Sequence, residues 1–258
     1  MCNRSPLLEI RRIHRMFGGL AAVFNLSLKV NRGEILGLIG PNGAGKSTVL
    51  NIVGGTILPT DGQIFFNGED ITKMPPYSRA KRGIARVFQQ DVLFSDFTLI
   101  ENVLVSLQLR SGIGIIRECF QQHTDDAKEY EQSIEILKYT QLDQQLNELA
   151  RNLPHGKQRL LGVAIALATQ PRLLLLDEPV TGMNAQEMND MITMVKRLRE
   201  EKDLTIIIVE HNLRAILDVC DRIAVLNFGE LITAGVPQDV VSNPKVIEAY
   251  LGKEEDYA

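Results

Sequence analysis

Apolar and polar positions follow two different periods along this chain, and the periods change over in blocks. Phe24, Leu26, Leu28 and Val30 alternate with Asn25, Ser27 and Lys29, the two-residue period of a half-buried strand. Asn31-Arg32-Gly33 reads as a turn. Residues 34–39 read as a second strand that runs straight into a glycine-rich loop, and residues 49–53 as a helix beyond it. After a turn at Thr60-Asp61-Gly62, residues 63–66 and 84–88 read as further strands, so the first ninety residues hold several short strands, some of them antiparallel.

From residue 95 to 149 the pattern turns helical, with the spacing of one apolar helix face over 101–110 and again over 125–139. Residues 111–116, with two glycines, read as a loose connection between them. Beyond Leu153 strands and helices alternate: helix 157–168, strand 173–176, helix 186–199, strand 205–209, helix 213–219, strand 223–226. That rhythm predicts an α/β fold with a mostly parallel sheet. Residues 253–258 read as a frayed acidic tail.

At 258 residues, with 45% hydrophobic and 23% charged positions, the chain has the makings of a folded globular protein rather than a disordered one. Lys plus Arg total 28 against 32 for Asp plus Glu, a balance of −4 that lacks the basic excess of a nucleic-acid binder. Cys2, Cys119 and Cys220 are far apart and form no CxxC pair, which argues against a disulfide framework or a zinc site. No apolar run approaches the roughly 20 residues of a spanning helix, and the first residues lack a signal-peptide core. If the protein works at a membrane, the expectation is that another chain crosses it.

The chemistry-bearing pattern is Gly40-Pro41-Asn42-Gly43-Ala44-Gly45-Lys46-Ser47-Thr48, which fits GxxxxGK[ST] between a predicted strand and a predicted helix. Gly40, Gly43 and Gly45 let the backbone curl so that successive N–H groups point at phosphate oxygens, and the following helix adds the positive end of its dipole. Lys46 can reach the β- and γ-phosphates, and the Ser47 hydroxyl can ligate Mg²⁺. A glycine-rich turn without a ligand is the competing reading. A second element is Leu173-Leu-Leu-Leu-Asp177-Glu178-Pro179, a buried strand that delivers Asp177 at its C-terminal end. Asp177 is placed to hold Mg²⁺ through water and Glu178 to polarise an attacking water; a surface acidic turn is the alternative.

With these two elements in order, the chain resembles the ATP-binding cassette (ABC) ATPases, the nucleotide-binding subunits of ABC transporters, over nearly its whole length. The resemblance implies a P-loop NTPase core of residues 1–94 and 160–258 with an N-terminal antiparallel β subdomain, and an inserted helical subdomain over 95–159. It assigns Gln89 to the loop glutamine that touches Mg²⁺ and faces the membrane partner. It makes His211 the switch histidine on the γ-phosphate, Phe17 the aromatic that stacks on adenine, and Met183-Asn184 the loop after the acidic pair. The family's signature LSGGQ reads here Leu153-Pro154-His155-Gly156-Lys157. Pro154 loses a hydroxyl and an N–H, His155 replaces a glycine, Gly156 is kept, and Lys157 adds a positive charge.

In this family the signature of one cassette closes over the phosphate loop of another, so the implied partners are a second cassette and permease subunits docking on residues 89–101. The implied site is the cytoplasmic face of a membrane. Phe17-Gly-Gly-Leu20, Asp70–Pro76 with Arg82–Ala85, the form LPHGKQR and the ending 243–252 are similar to the branched-chain amino acid importer ATPases of bacteria, which work with a solute-binding protein. The ATPase of lipopolysaccharide export is close in texture. A soluble ABC protein acting on nucleic acid or ribosomes, and a cassette that binds ATP without hydrolysing it, are the remaining alternatives.

Overall fold

A computed structural model of the chain describes residues 6–88, 93–111 and 126–251. Two sheets and a helical layer make up the protein. The smaller sheet is antiparallel. In it β1 (Pro6–Phe17) pairs with β2 (Leu20–Asn31) and with β4 (Asp61–Phe66), and β5 (Glu69–Asp70) closes the edge. β1 was not among the strands expected from the sequence. Its alternation is broken by register shifts on either side of Ile13 and by Arg12 at φ +45°, while the paired strand β2 carries a left-handed residue of its own, Asn25 at φ +48°. Such bulges put two residues against one and scramble the two-residue period.

The larger sheet holds β3 (Ile35–Ile39), β6 (Ile84–Val87), β7 (Leu173–Asp177), β8 (Thr205–Val209), β9 (Arg222–Asn227) and β10 (Glu230–Gly235) in the order β10-β9-β3-β8-β7-β6. Five of these strands are parallel, and β10 adds an antiparallel edge. Every residue of β3, β7 and β8 is buried, as a parallel strand covered on both faces requires. This is the α/β architecture with a mostly parallel sheet and an antiparallel β unit that the residue pattern and the resemblance predict.

One face of the large sheet packs with the small sheet and α1 (Lys46–Gly54), around Leu8, Ile10, Leu36, Leu38, Val49 and Leu50. The other face is covered by α6 (Ala185–Lys202) and α7 (Leu213–Val219) through Met191, Val195, Leu198 and Ile216. A third apolar cluster joins α3 (Leu99–Ser111), α4 (Asp126–Tyr139) and α5 (His155–Ala168). α5 serves two cores: Leu161, Ala164 and Ala168 face the helical cluster, whereas Val163 and Ala166 face the sheet. The short helices α2 (Pro76–Lys81), α8 (Pro237–Val241) and α9 (Pro244–Leu251) lie outside the pattern read from the sequence. Most of the loose connection expected at 111–116, and all of the tail at 253–258, lie outside the described residues.

One buried charge anchors α1 from behind. Arg79 of α2 is fully buried and donates to the carbonyls of Ile52 (2.5 Å), Val53 (2.9 Å), Thr72 (3.0 Å) and Met74 (3.0 Å). Ile52 and Val53 lie in the last turn of α1, where a helix leaves its carbonyls short of backbone partners; the Ile52 carbonyl is also reached by the Gly55 N–H at 3.3 Å. A guanidinium there also complements the negative end of the dipole. Burial pushes its pKa down to about 10, leaving it charged near neutrality.

Candidate functional site

The glycine-rich loop leaves β3 at the C-terminal edge of the large sheet, where α/β sheets bind their ligands. Gly40 sits at φ +151°, and a Cβ there would lie 2.1 Å from the carbonyl oxygen of Leu226. Gly45 sits at φ +99°, with its Cβ position 2.4 Å from the Ala22 carbonyl oxygen. Both glycines are therefore dictated by backbone packed against them, whereas Gly43, at φ +79°, has open space where a Cβ would be. Gly45 caps α1 without a side-chain hydrogen bond, and the first turn of α1 holds no acidic residue. The N–H groups and the positive dipole end at Lys46, Ser47 and Thr48 are thus left without a negative side chain of the helix's own.

Lys46 is 6% exposed, and its Nζ donates to the carbonyl oxygens of Gly40 (2.7 Å) and Pro41 (3.0 Å). Desolvation pushes its pKa down, while the carboxylates of Glu178 and Asp177 pull it back up. The ammonium is folded onto its own loop, held by weak acceptors that a phosphate can displace.

At the end of β7, Asp177 Oδ2 accepts from Arg86 Nη2 at 2.9 Å, and both side chains are largely buried. Arg86 Nη1 also donates to Asn51 Oδ1 of α1 at 2.6 Å, so strand β6, helix α1 and strand β7 meet at this guanidinium. Glu178 follows in a left-handed conformation at φ +50°, uncommon for a residue with a side chain and a site of stored strain. Its N–H donates to Val209 O (2.8 Å), and its carbonyl accepts from Arg159 of α5 (3.0 Å). Glu178 Oε1 lies 2.5 Å from His211 Nε2, so the ends of β7 and β8 bring the acidic residue and the histidine together.

A cavity of about 320 Å³ is lined by residues 42–48, Glu178, His211, Leu20 and the Ala21-Ala22 pair, and by Phe228. Phe228 is 83% exposed at φ +45°, in the turn between β9 and β10. Phe17, at the end of β1 and 44% exposed, is not part of that lining; the Arg15 guanidinium stands 4.5 Å from its ring centroid. Gln89 lies outside the described residues, as do residues 90–92 of the expected docking region.

The signature residues stand apart from this cavity. Pro154 is the N-cap of α5 and contributes no side-chain hydrogen bond. Pro154 and His155 are exposed. Lys157 Nζ donates to Gln145 Oε1 at 2.7 Å, so its ammonium is tied to the helical layer. Gly156 is buried against Glu187, whose carboxylate carbon lies 2.8 Å from where a Cβ would be. Glu187 is itself pinned: it closes a capping box with Asn184 at the start of α6.

Arg86, Arg159, Glu187, Glu210 and Phe228 escaped the reading of the sequence. Only Arg86 left a signal, as a charge inside an otherwise apolar predicted strand. The others become functional candidates only through which loops lie beside which.

For a metal, the fit is partial and of one kind. Among the described residues no group of three His, Cys, Asp or Glu side chains could cage an ion. The Ser47 hydroxyl and the Asp177 carboxylate are hard oxygen donors, the type Mg²⁺ takes when substrate phosphates and water complete its shell.

Residues 23–181 match the family described as ABC transporter, and residues 230–256 match the one described as branched-chain amino acid ATP-binding cassette transporter. The chain is 37% identical over 253 residues to the high-affinity branched-chain amino acid transport ATP-binding protein BraF of Pseudomonas aeruginosa, covering 96% of this chain and 98% of that one. It is 38% identical over 257 residues to LivG of Salmonella typhimurium, with the same coverage. The lipopolysaccharide export system ATP-binding protein LptB of Haemophilus influenzae is 32% identical over 248 residues, again covering 96% and 98%. Among solved structures, the ADP conformation of the ABC transporter cassette MJ1267 is similar with a TM-score of 0.84 and 29% identity, over 96% of this chain and all of that one. The dimeric post-hydrolysis cassette MJ0796, bound to ADP and Pi, is similar with a TM-score of 0.76 and 25% identity, over 89% and 98%.

Proposed function

Because this chain belongs to the ABC transporter family of ATP-binding proteins, we propose that it is the ATP-hydrolysing subunit that energises a membrane importer of branched-chain amino acids or similar small solutes. The observation that carries the hydrolytic part is the single cavity in which the phosphate loop, Glu178 and His211 face one another. The importer part rests on likeness: 37–38% identity to BraF and LivG against 32% to LptB, and the match of residues 230–256.

In this reading the triphosphate of ATP lies along the N–H groups of residues 43–48. Lys46 exchanges its two carbonyl acceptors for the β- and γ-phosphates. Glu178 takes the proton of the attacking water as general base, and His211, bonded to it, fixes its carboxylate and contacts the γ-phosphate. Phe17 stacks on adenine. Mg²⁺, when bound, would neutralise developing phosphate charge; Ser47 and Asp177 would hold it, and Gln89, outside the described residues, is assigned to it by the family resemblance alone. To hold the ion, Asp177 would have to release the bond it now accepts from Arg86.

Pro154, His155, Gly156 and Lys157 are reserved for the nucleotide of a second cassette. The dimeric MJ0796 structure supports such a pairing. An apolar cavity of about 400 Å³ between the end of α1, α2, β6 and α5 is lined by Gly54, Tyr77, Arg86, Ile165 and Phe88, the residue that precedes the expected docking region in sequence. It suits a helix from a permease subunit. A solute-binding protein would act on the permease, not on this chain. Among the described residues no helix is long and apolar enough to cross a membrane, in keeping with a peripheral place at the cytoplasmic face.

The test is purification from membranes together with an ATPase assay. Recovery with integral membrane proteins and Mg²⁺-dependent phosphate release support the proposal. Recovery with ribosomes or DNA, or nucleotide binding without turnover, overturns it.

A further inference from the structure

We propose that Glu210 is a positioning residue for the Glu178–His211 pair, its buried carboxylate bridging the exits of β7 and β8. This deepens the ATPase reading and rests on it for the kinetic arm of the test alone. Glu210 is 2% exposed, a buried carboxylate directly before His211, which lines the cavity. Its Oε1 accepts from the N–H of Val180 at 2.8 Å, two residues beyond Glu178. Its Oε2 accepts from the N–H of His211 at 3.1 Å, and the Asn212 N–H also bonds the carboxyl.

A buried carboxylate is costly unless its oxygens are used, and backbone N–H groups supply strong, charge-assisted bonds. Burial pushes its pKa up, and the bonds to Val180, His211 and Asn212 hold it back. The sheet itself does not need this bridge. β7 and β8 are already paired through Asp177 and Val209. What lies beyond that last pair is the strained turn at Glu178, with φ +50°, and the loop carrying His211. Besides the Glu178–His211 contact itself, Glu210 ties the backbones of those two loops to each other. Without it, the 2.5 Å approach of Glu178 Oε1 to His211 Nε2 depends on the Glu178 N–H bond to Val209 O on one side and, on the other, on the exposed loop that carries His211.

Glu210→Gln is nearly isosteric but turns an NH₂ group toward one of the backbone donors, so one arm of the bridge must let go. The experiment is a double-mutant cycle in the full chain, with Glu178→Gln and Glu210→Gln singly and together. The first readout is ATP turnover against KM. Glu210→Gln is expected to lower kcat by about 10- to 100-fold with KM for ATP shifted less than about threefold, and Glu178→Gln is expected to cost far less on that background than on the wild type. The second readout needs no activity: the NMR resonance of the His211 ring. Glu178→Gln should move it in the wild-type background and scarcely move it once Glu210 is replaced.

Equal Glu178→Gln shifts in both backgrounds overturn the proposal, as does unchanged kcat in Glu210→Gln or a loss of turnover that follows lost ATP affinity. A wild type without turnover would overturn the ATPase reading instead, and the ring resonance would still decide the role of Glu210. If the Gln variant melts below the assay temperature, Glu210→Asp, which keeps the charge on a shorter arm, enters the same cycle with the same expected direction.

Discussion

Around the phosphate loop, stretches far apart in the chain converge on one cavity: residues 20–22, 42–48, Glu178, His211 and Phe228. At the start of α5, by contrast, Pro154 and His155 are exposed, Lys157 is tied back to Gln145, and Gly156 is filled by Glu187 from the same chain. The first region is held from behind by Arg79, Arg86 and Glu210, buried polar groups that each reach across to another element. The second is a helix end with no side-chain cap. In the proposed function, the first side carries the chemistry and the second is the edge offered to another cassette.

That contrast can be broken at several points, beginning with the largest effect. Glu178→Gln keeps shape and removes the base, so turnover should fall by about 10²- to 10⁴-fold with ATP still bound. Steady-state phosphate release beside nucleotide titration checks this, and a rate near wild type would remove Glu178 from the chemistry. Lys46→Ala deletes charge-assisted bonds worth ~1.5–3 kcal/mol, so ATP affinity should drop by roughly 10- to 100-fold by calorimetry. Unchanged affinity would mean that Lys46 belongs to the carbonyls it holds now.

Smaller changes sharpen the comparison rather than break it. Phe17→Ala should weaken ATP binding by about 0.5–1.5 kcal/mol, the worth of a stacking contact, without abolishing it. Because Phe17 lies outside the cavity at the phosphate loop, unchanged ATP affinity would show that adenine rests elsewhere, on Leu20 or Phe228. Pro154→Ser acts on the open half: a serine N-cap should steady α5 by about 0.5–1 kcal/mol and raise ATP-driven dimerisation a few-fold. Light scattering with the hydrolysis-deficient Glu178→Gln background would register it. No change would place the limiting step away from the first turn of α5.

The strand-to-helix passage through residues 40–48, the all-apolar run before Asp177 and the alternating second half were legible in the primary structure. Each is written in neighbours along one element, where residue spacing and side-chain type are enough to state the local conformation. β1 was not legible, because its bulges at Arg12 and Ile13 erase the period that marks a strand. β10 is an edge strand with no fully buried residue to mark an apolar period, and α2 and α8, of six and five residues, are too short to build a pattern of their own.

For the site, the residue types were visible but their contacts were not. Glu178 meets His211 33 positions away, Arg86 meets Asp177 91 positions away, and Glu210 meets Val180 30 positions away. These encounters follow from the strand order β3-β8-β7-β6, which sets the exits of β7 and β8 side by side and puts Arg86 next to Asp177. Spacing along a chain encodes what one helix or strand can present to its surroundings. Which strand ends become neighbours depends on how crossovers pack against both faces of the sheet, a global balance of buried surface that no single stretch of residues carries.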